Sequence, residues 1–206
     1  MGLYDRWILP RVLDFAMRQP PIPKQREKVV PLAEGHVLEI GIGSGLNLAY
    51  YDQSKVTKLW GLDPSMELRK KAVERSAESG MEVEFIGLSG EDIPLESGSA
   101  DTVLTTFTLC TIPDAGAALK EMYRVLRPGG QLLFAEHGRA PDQDVVRWQD
   151  RINPVWQHVA GGCNLNRKID VLVEEAGFTV RDLEQSYLPG PRPWTYNYWG
   201  AGVRAA

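Results

Sequence analysis

The sequence has no apolar run long enough to cross a bilayer and no cleavable signal pattern. Met1-Gly2 is followed by Arg6 where a myristoylation signal would carry Ser or Thr. Cysteine is scarce. Cys110 and Cys163 stand far apart without metal-type spacing, which favours reduced, buried thiols in a cytoplasm. Charge of one sign is lacking too: the net value is −4 with acids and bases interspersed, which argues against a nucleic-acid footprint. Repeats and low-complexity tracts are absent. A length of 206 residues then suits one soluble, intracellular domain with a sizeable core.

What is present is an alternation of strand and helix signals. Seven strands are expected over Val37–Ile40, Lys58–Leu62, Val83–Ile86, Asp101–Thr106, Gln131–Glu136, Phe178–Leu183 and Trp194–Val203. Helices are expected over 24–32, from Leu46 to Tyr51, and over Met66–Glu78, Ala115–Leu126, Val145–Val159 and Arg167–Ala176. This order predicts an α/β fold: a doubly wound, mostly parallel seven-stranded sheet closed by a C-terminal antiparallel hairpin. Ahead of it, Tyr4, Trp7, Ile8, Val12 and Phe15 recur at helical spacing, and Pro20-Pro21-Ile22-Pro23 reads as a stiff linker. Residues 1–23 are thus expected to be an amphipathic lid or docking element, with a peripheral membrane contact as one role, and 24–206 the main domain.

Within that order, Val37-Leu38-Glu39-Ile40 runs into Gly41-Ile42-Gly43-Ser44-Gly45-Leu46-Asn47. Glycines suit a turn over which a ligand lies against the backbone, and a following helix would offer free N–H groups to a carboxylate or phosphate. A dinucleotide fingerprint wants glycine at the sixth position, where Leu46 stands. That spacing counts against a nicotinamide-dependent oxidoreductase. Asp63 ends the second strand about 20 residues on, where ribose hydroxyls are held in nucleotide-binding α/β folds; it also suits a helix cap before Pro64-Ser65.

The stretch Glu39–Gly45, Asp63, the segment Arg124-Val125-Leu126-Arg127-Pro128-Gly129-Gly130 and the order of elements together resemble the class I S-adenosylmethionine (SAM) methyltransferases. The resemblance covers nearly the whole chain. It implies SAM as cofactor, with Gly41, Gly43 and Gly45 against its amino-acid part and Glu39 near its ammonium. Asn47 would bind its carboxylate, Asp63 the ribose, and Pro64 and Ser65 would lie beside the adenosine. Gly90 and Glu91 would flank adenine, and Thr106 would supply backbone contacts. Ser89 stands where many relatives carry an acid, leaving Glu91, Asp92 or the Gly90 backbone to replace that contact.

Four further stretches resemble a narrower group, the microsomal methyltransferase-like alkyl-thiol S-methyltransferases and their bacterial relatives. They are Leu109–Ile112, Phe134–His137, Asn153–His158 and Gly161–Leu165. The resemblance implies a small, fairly apolar acceptor, with a thiol as the leading expectation and a phospholipid amine or quinone-type ring as alternatives. His137, just past the fifth strand, is the candidate to take a proton or steer the acceptor; a histidine satisfying local backbone is the competing reading. His158 is placed less well. Trp7, Phe107, Trp148 and Trp156 are candidates to wall an apolar pocket. A SAM-binding protein without turnover is the remaining alternative.

Overall fold

The computed structural model describes residues 8–206. Tyr4 and Trp7 lie outside them. The sheet comprises β1 (Gly35–Ile40), β2 (Val56–Leu62), β3 (Glu84–Ile86), β4 (Ala100–Thr106), β5 (Leu126–His137), β6 (Thr179–Tyr187) and β7 (Tyr196–Val203), in the order β3-β2-β1-β4-β5-β7-β6. The pairs β1–β2, β1–β4, β2–β3 and β4–β5 are parallel, whereas β7 runs antiparallel to both β5 and β6. Alternate residues feed separate cores: Leu38, Ile40, Val103, Leu132 and Phe134 join one, and Val37, Leu104, Leu133 and Ala135 the other. Both faces are therefore covered, as a parallel sheet requires.

The helices are α1 (Leu9–Ala16), α2 (Ile22–Val29), α3 (Met66–Ser79), α4 (Ala115–Val125), α5 (Gln143–Val159), α6 (Ile169–Glu175) and a single turn, α7 (Arg192–Thr195). Pro10 and Pro23 sit in the first turns of α1 and α2, where a missing N–H costs no helix bond. The linker thus ends earlier than expected. Arg127–Gly130, expected as a turn, belongs to β5 and is absorbed by a register shift against β4.

Two expectations fail for physical reasons. No helix forms from Leu46 to Tyr51. Residues 43–50 are successive turns, closed by bonds such as Gly45 N to Ile42 O (2.8 Å) and Tyr50 N to Asn47 O (2.9 Å). The stretch is too short to offset the cost of an α-helical nucleus, and its Asn47 and Tyr51 side chains are both drawn onto Glu39. The second concerns Trp148 on α5, a candidate for the pocket wall that does not line the cavity. Trp148 and Val155 face solvent, while Gln149 and Asn153 take inward positions. Gln149 accepts from Ala140 N and donates to the carbonyls of Gly138 and Pro193, and Asn153 accepts from Leu165 N. Backbone groups that would otherwise be buried unpaired are satisfied by these amides, which fixes the inward side of the helix.

Candidate active site

A cavity of about 660 Å³ opens at the carboxyl ends of β1, β2, β4 and β5, within the size range of small-molecule sites. Glu39, Gly41, Gly43, Asp63, Pro64 and Gly90 line it, and so do Thr106, Phe107, His137 and Trp156. Gly45, Asn47, Ser65 and Glu91 do not.

The glycine turn forms the cavity floor. Gly41 has φ +71°, and a Cβ there would meet the Thr108 side chain at 2.3 Å. Gly43 has φ +53°, and a Cβ there would find nothing nearer than 3.8 Å. Its glycine answers to conformation and to the space above it. At Gly45 a Cβ would press on Ala72, so this position serves packing against α3.

At one end of the cavity a polar cluster is shut into the protein. Glu39 accepts from Tyr51 Oη (2.7 Å) and Asn47 Nδ2 (2.9 Å). Burial pushes its carboxyl up to about 7, against the lowering effect of Tyr51, Arg26 and Asn47. Asn47 is fully engaged, since it also donates to Thr106 Oγ1 (3.0 Å) and accepts from Arg26 Nη1 (2.5 Å). Arg26, 5% exposed, reaches in from α2 and also donates to Thr106 Oγ1 (2.8 Å). Its Nε has no partner, and its guanidinium lies 5.7 Å from the Phe107 ring centroid. A buried arginine therefore stands where a helix N-terminus was expected.

Asp63 accepts from Gly43 N (3.0 Å) and Ser65 N (2.7 Å), which ties the end of β2 to the glycine turn. Ser65 caps α3 through Leu68 N. Ser89 and Gly90 form the wall beyond, while Glu91 accepts from Ser89 Oγ and from Asp114 N (2.8 Å) outside the cavity.

Helix α1 closes one side with Leu9, Leu13 and Met17. Its buried Asp14 accepts from Ser44 Oγ (2.6 Å), Lys71 Nζ (2.8 Å) and Arg75 Nη1 (3.0 Å). Burial alone would raise that carboxyl, but Lys71, Ser44 and Arg75 hold it well below the usual range. The helix is thereby pinned to the glycine turn and to α3.

At the other end His137 Nε2 lies 2.9 Å from Cys163 Sγ, and Cys163 Sγ lies 3.8 Å from Cys110 Sγ. All three residues line the cavity. The Cys110 thiol and the His137 ring draw Cys163 down against its burial, and Cys163 in turn raises His137, which burial alone would lower. The loops are held independently: Asn164 donates from N and Nδ2 to Cys110 O (2.8 and 3.0 Å), and Arg167 donates to Leu109 O and to Ile112 O. Beneath them Glu136 Oε1 accepts from Thr105 Oγ1, Thr108 N and Leu109 N, steadying the turn in which Phe107 adopts φ 54°. His158 instead contacts Pro154 O through Nδ1 (2.7 Å), the local backbone role.

Arg26, Cys110 and Cys163 were not singled out as site residues by the sequence. Arg26 carries no signal in its short polar helix. The cysteines did carry one, because the four stretches quoted above converge on this end of the cavity. Trp194, Thr195 and Asn197 also line it, each with a buried side-chain polar atom that finds no partner.

A family model described as a methyltransferase domain matches residues 38–134. The chain is 31% identical over 176 residues to human thiol S-methyltransferase TMT1A, covering 82% of this chain and 71% of that protein. It is 34% identical over 162 residues to rat thiol S-methyltransferase TMT1B, covering 77% of this chain; there it spans only 65% of the relative's length. A solved SAM-dependent methyltransferase of Thermotoga maritima superposes with a TM-score of 0.67 at 21% identity, over 96% of this chain and 98% of that one, which shows the shared fold. By sequence and architecture the chain belongs to the SAM-dependent methyltransferase family.

Proposed function

We propose that the protein transfers a methyl group from SAM to a small thiol. One observation carries this: a single cavity joins the Gly41–Asp63 cradle to the Cys163–His137 contact. The cradle suits the cofactor, with open space over Gly43, a carboxylate at Asp63 and an unpartnered Arg26 Nε at the polar end. Asp63 would hold the ribose, Glu39 the ammonium and Arg26, rather than Asn47, the carboxylate, while Ser89 and Gly90 would wall the adenine. When bound, SAM supplies a methyl group on a sulfonium, which passes to the acceptor sulfur as the carbon–sulfonium bond breaks.

The protein's own task is alignment, worth about 7–11 kcal/mol in such reactions. Phe107, Trp156 and Ile112 give the acceptor end an apolar wall, and His137 and Cys163 give it one polar contact. A thiol needs little more, being a few per cent thiolate at pH 7 and strongly nucleophilic; its proton leaves to solvent. Turnover of labelled SAM against an alkyl thiol, hydrogen sulfide, an amine phospholipid and a quinol tests the reading. Transfer confined to the thiols supports it. Transfer to the lipid or quinol instead overturns the acceptor, and no transfer with any of them overturns the activity.

Helix α1 also suits a membrane surface. Its inner side lines the cavity, with Val12 half-exposed at the rim, whereas Phe15 and the preceding Ile8 are exposed at 62 and 53% and flanked by Arg11 and Arg18. Such a stripe places apolar groups at the lipid boundary and cations at the headgroups. Among the described residues no helix is long and apolar enough to cross a membrane. Sedimentation with anionic vesicles, lost in Ile8→Asp/Phe15→Asp, is the expected result; equal sedimentation of both proteins would exclude this docking role.

A further inference from the structure

Among the described residues, Cys110, His137 and Cys163 form the one group of three side chains able to share a metal ion, with ligand atoms all within 4.8 Å of one another. They come from three separate segments: the loop after β4, the end of β5 and the loop after α5. Sequence spacing hid the cluster, because metal motifs are recognised by short intervals and these residues are far apart.

One edge of the cluster has the length a tetrahedral site needs, and the imidazole would have to shift to supply the other two. Bonds of about 2.3 Å to sulfur and about 2.05 Å to nitrogen give edges of roughly 3.8 Å between two sulfurs and roughly 3.6 Å between sulfur and nitrogen. The observed Cys110–Cys163 separation is 3.8 Å. The Cys163–His137 separation of 2.9 Å is a hydrogen-bond length, and the Cys110 and His137 ligand atoms lie within 4.8 Å, so the imidazole would withdraw by about 0.7 Å from Cys163 and settle about 3.6 Å from both sulfurs to admit the ion. Two thiolates with one imidazole suit zinc, and a site with three protein ligands and an open fourth position is the catalytic rather than the structural type. The opening is there, since all three residues line the cavity. The supporting bonds from Asn164 and Arg167 set the two cysteine loops without help from an ion.

We propose that Cys110, His137 and Cys163 bind one zinc ion whose fourth position, facing the cavity, takes the acceptor sulfur as a thiolate. The identity of the fourth ligand rests on the thiol reading above; the three-residue site does not. Binding zinc displaces two protons to solvent, because both thiols must bind as thiolates and the imidazole as the neutral ring. No electron changes hands. An acceptor thiol arriving as fourth ligand releases a third proton, and the bound sulfur stays nucleophilic at a pH where most of the free thiol is protonated.

The test uses the whole chain, reduced and stripped with a chelator, without SAM or acceptor, so its outcome is independent of any turnover. Equilibrium dialysis against zinc is expected to give one equivalent bound, with about two protons released on titration. Cobalt is expected to give the thiolate charge-transfer and visible bands of a tetrahedral site. Cys110→Ser, Cys163→Ser and His137→Ala should each weaken binding by more than about 100-fold. Absence of binding, cobalt bands of an octahedral ion, or affinity unchanged in all three variants overturns the proposal. Should a variant fail to fold, the wild-type cobalt spectrum and proton count still decide. A band shift on adding an alkyl thiol, absent with an alcohol of the same shape, supports the fourth-ligand assignment, and no shift overturns that part alone.

Discussion

His137 Nε2 sits 2.9 Å from Cys163 Sγ, across 26 positions of sequence. The contact brings β5 together with the loop after α5 and gives the cavity its one reactive corner. Removing one partner leaves the glycine turn, Asp63 and Arg26 untouched, so acceptor chemistry and cofactor binding should separate. In Cys163→Ser and His137→Ala, kcat/KM for a thiol is expected to fall by about 10²-fold or more, while SAM affinity by calorimetry changes less than about threefold. A parallel loss of SAM affinity would place the corner in the cofactor site instead.

Gly41 and Gly43 should respond differently to alanine. At Gly41 the new Cβ collides with Thr108 at 2.3 Å and the backbone is left-handed, so the turn itself must move. At Gly43 only the left-handed φ resists, at roughly 1–2 kcal/mol. Gly43→Ala is therefore expected to unfold cooperatively with a small drop in Tm yet to lose most SAM binding. Gly41→Ala should lose both. Normal SAM affinity in Gly43→Ala would show that no ligand lies over this turn.

Glu39 makes the apo protein and the complex respond oppositely to pH. Its folded pKa is raised, to about 7 from 4.5, so the folded state holds the proton more tightly than the unfolded one. Its contribution to stability is therefore greatest below about 4.5 and declines as pH rises to about 7. A cationic ammonium beside it favours the ionised form, so SAM binding should expel a proton below pH 7 and weaken as pH falls. Calorimetry in buffers of different ionisation enthalpy measures that proton, and Glu39→Gln should abolish it. Proton release that persists unchanged in Glu39→Gln would assign it to another group.

The sheet was legible because its signals are local: branched apolar runs, glycine-bounded turns and the closing hairpin all fell within a few residues of their places. The cavity wall at the glycine turn was legible for the same reason, as Glu39 lies near the end of β1, Gly41 and Gly43 follow it, and Asp63 follows the neighbouring β2. What escaped depends on distance or on side-chain bonding. The segment after Gly45 looks helical until Asn47 and Tyr51 are seen to turn onto Glu39. Cys110 and Cys163 look like two packing residues until β4 and α5 bring them within 3.8 Å.

Asp14 holds α1 against the cavity, and its removal should loosen that wall without harming the sheet. Its carboxyl is held below the usual range by Lys71, Ser44 and Arg75 against the opposing effect of burial. Such a group stabilises above about pH 3.8 and loses that contribution as pH falls through its folded value. Asp14→Asn at neutral pH is expected to raise KM for SAM and speed amide exchange in residues 9–17, with exchange in β1 and β4 unchanged. Uniform exchange throughout would mean that α1 does not open separately.

Arg26 supplies the last separation, between a residue that stabilises the fold and one that binds. It lies in the field of Glu39, donates to Asn47 and Thr106, and keeps one donor, Nε, unpartnered. Arg26→Met keeps much of the volume but takes a buried donor from Asn47 Oδ1 and Thr106 Oγ1 and leaves Glu39 without its nearby cation, so Tm should fall. Adding Glu39→Gln removes the charge that Glu39 still carries at neutral pH, so the double variant should recover part of the lost Tm. It should not recover SAM affinity, because losing a charged hydrogen bond to the ligand carboxylate forfeits about 10- to 100-fold. Full recovery of both would make Arg26 a purely structural counterion, and the carboxylate would have to be held elsewhere in the cavity.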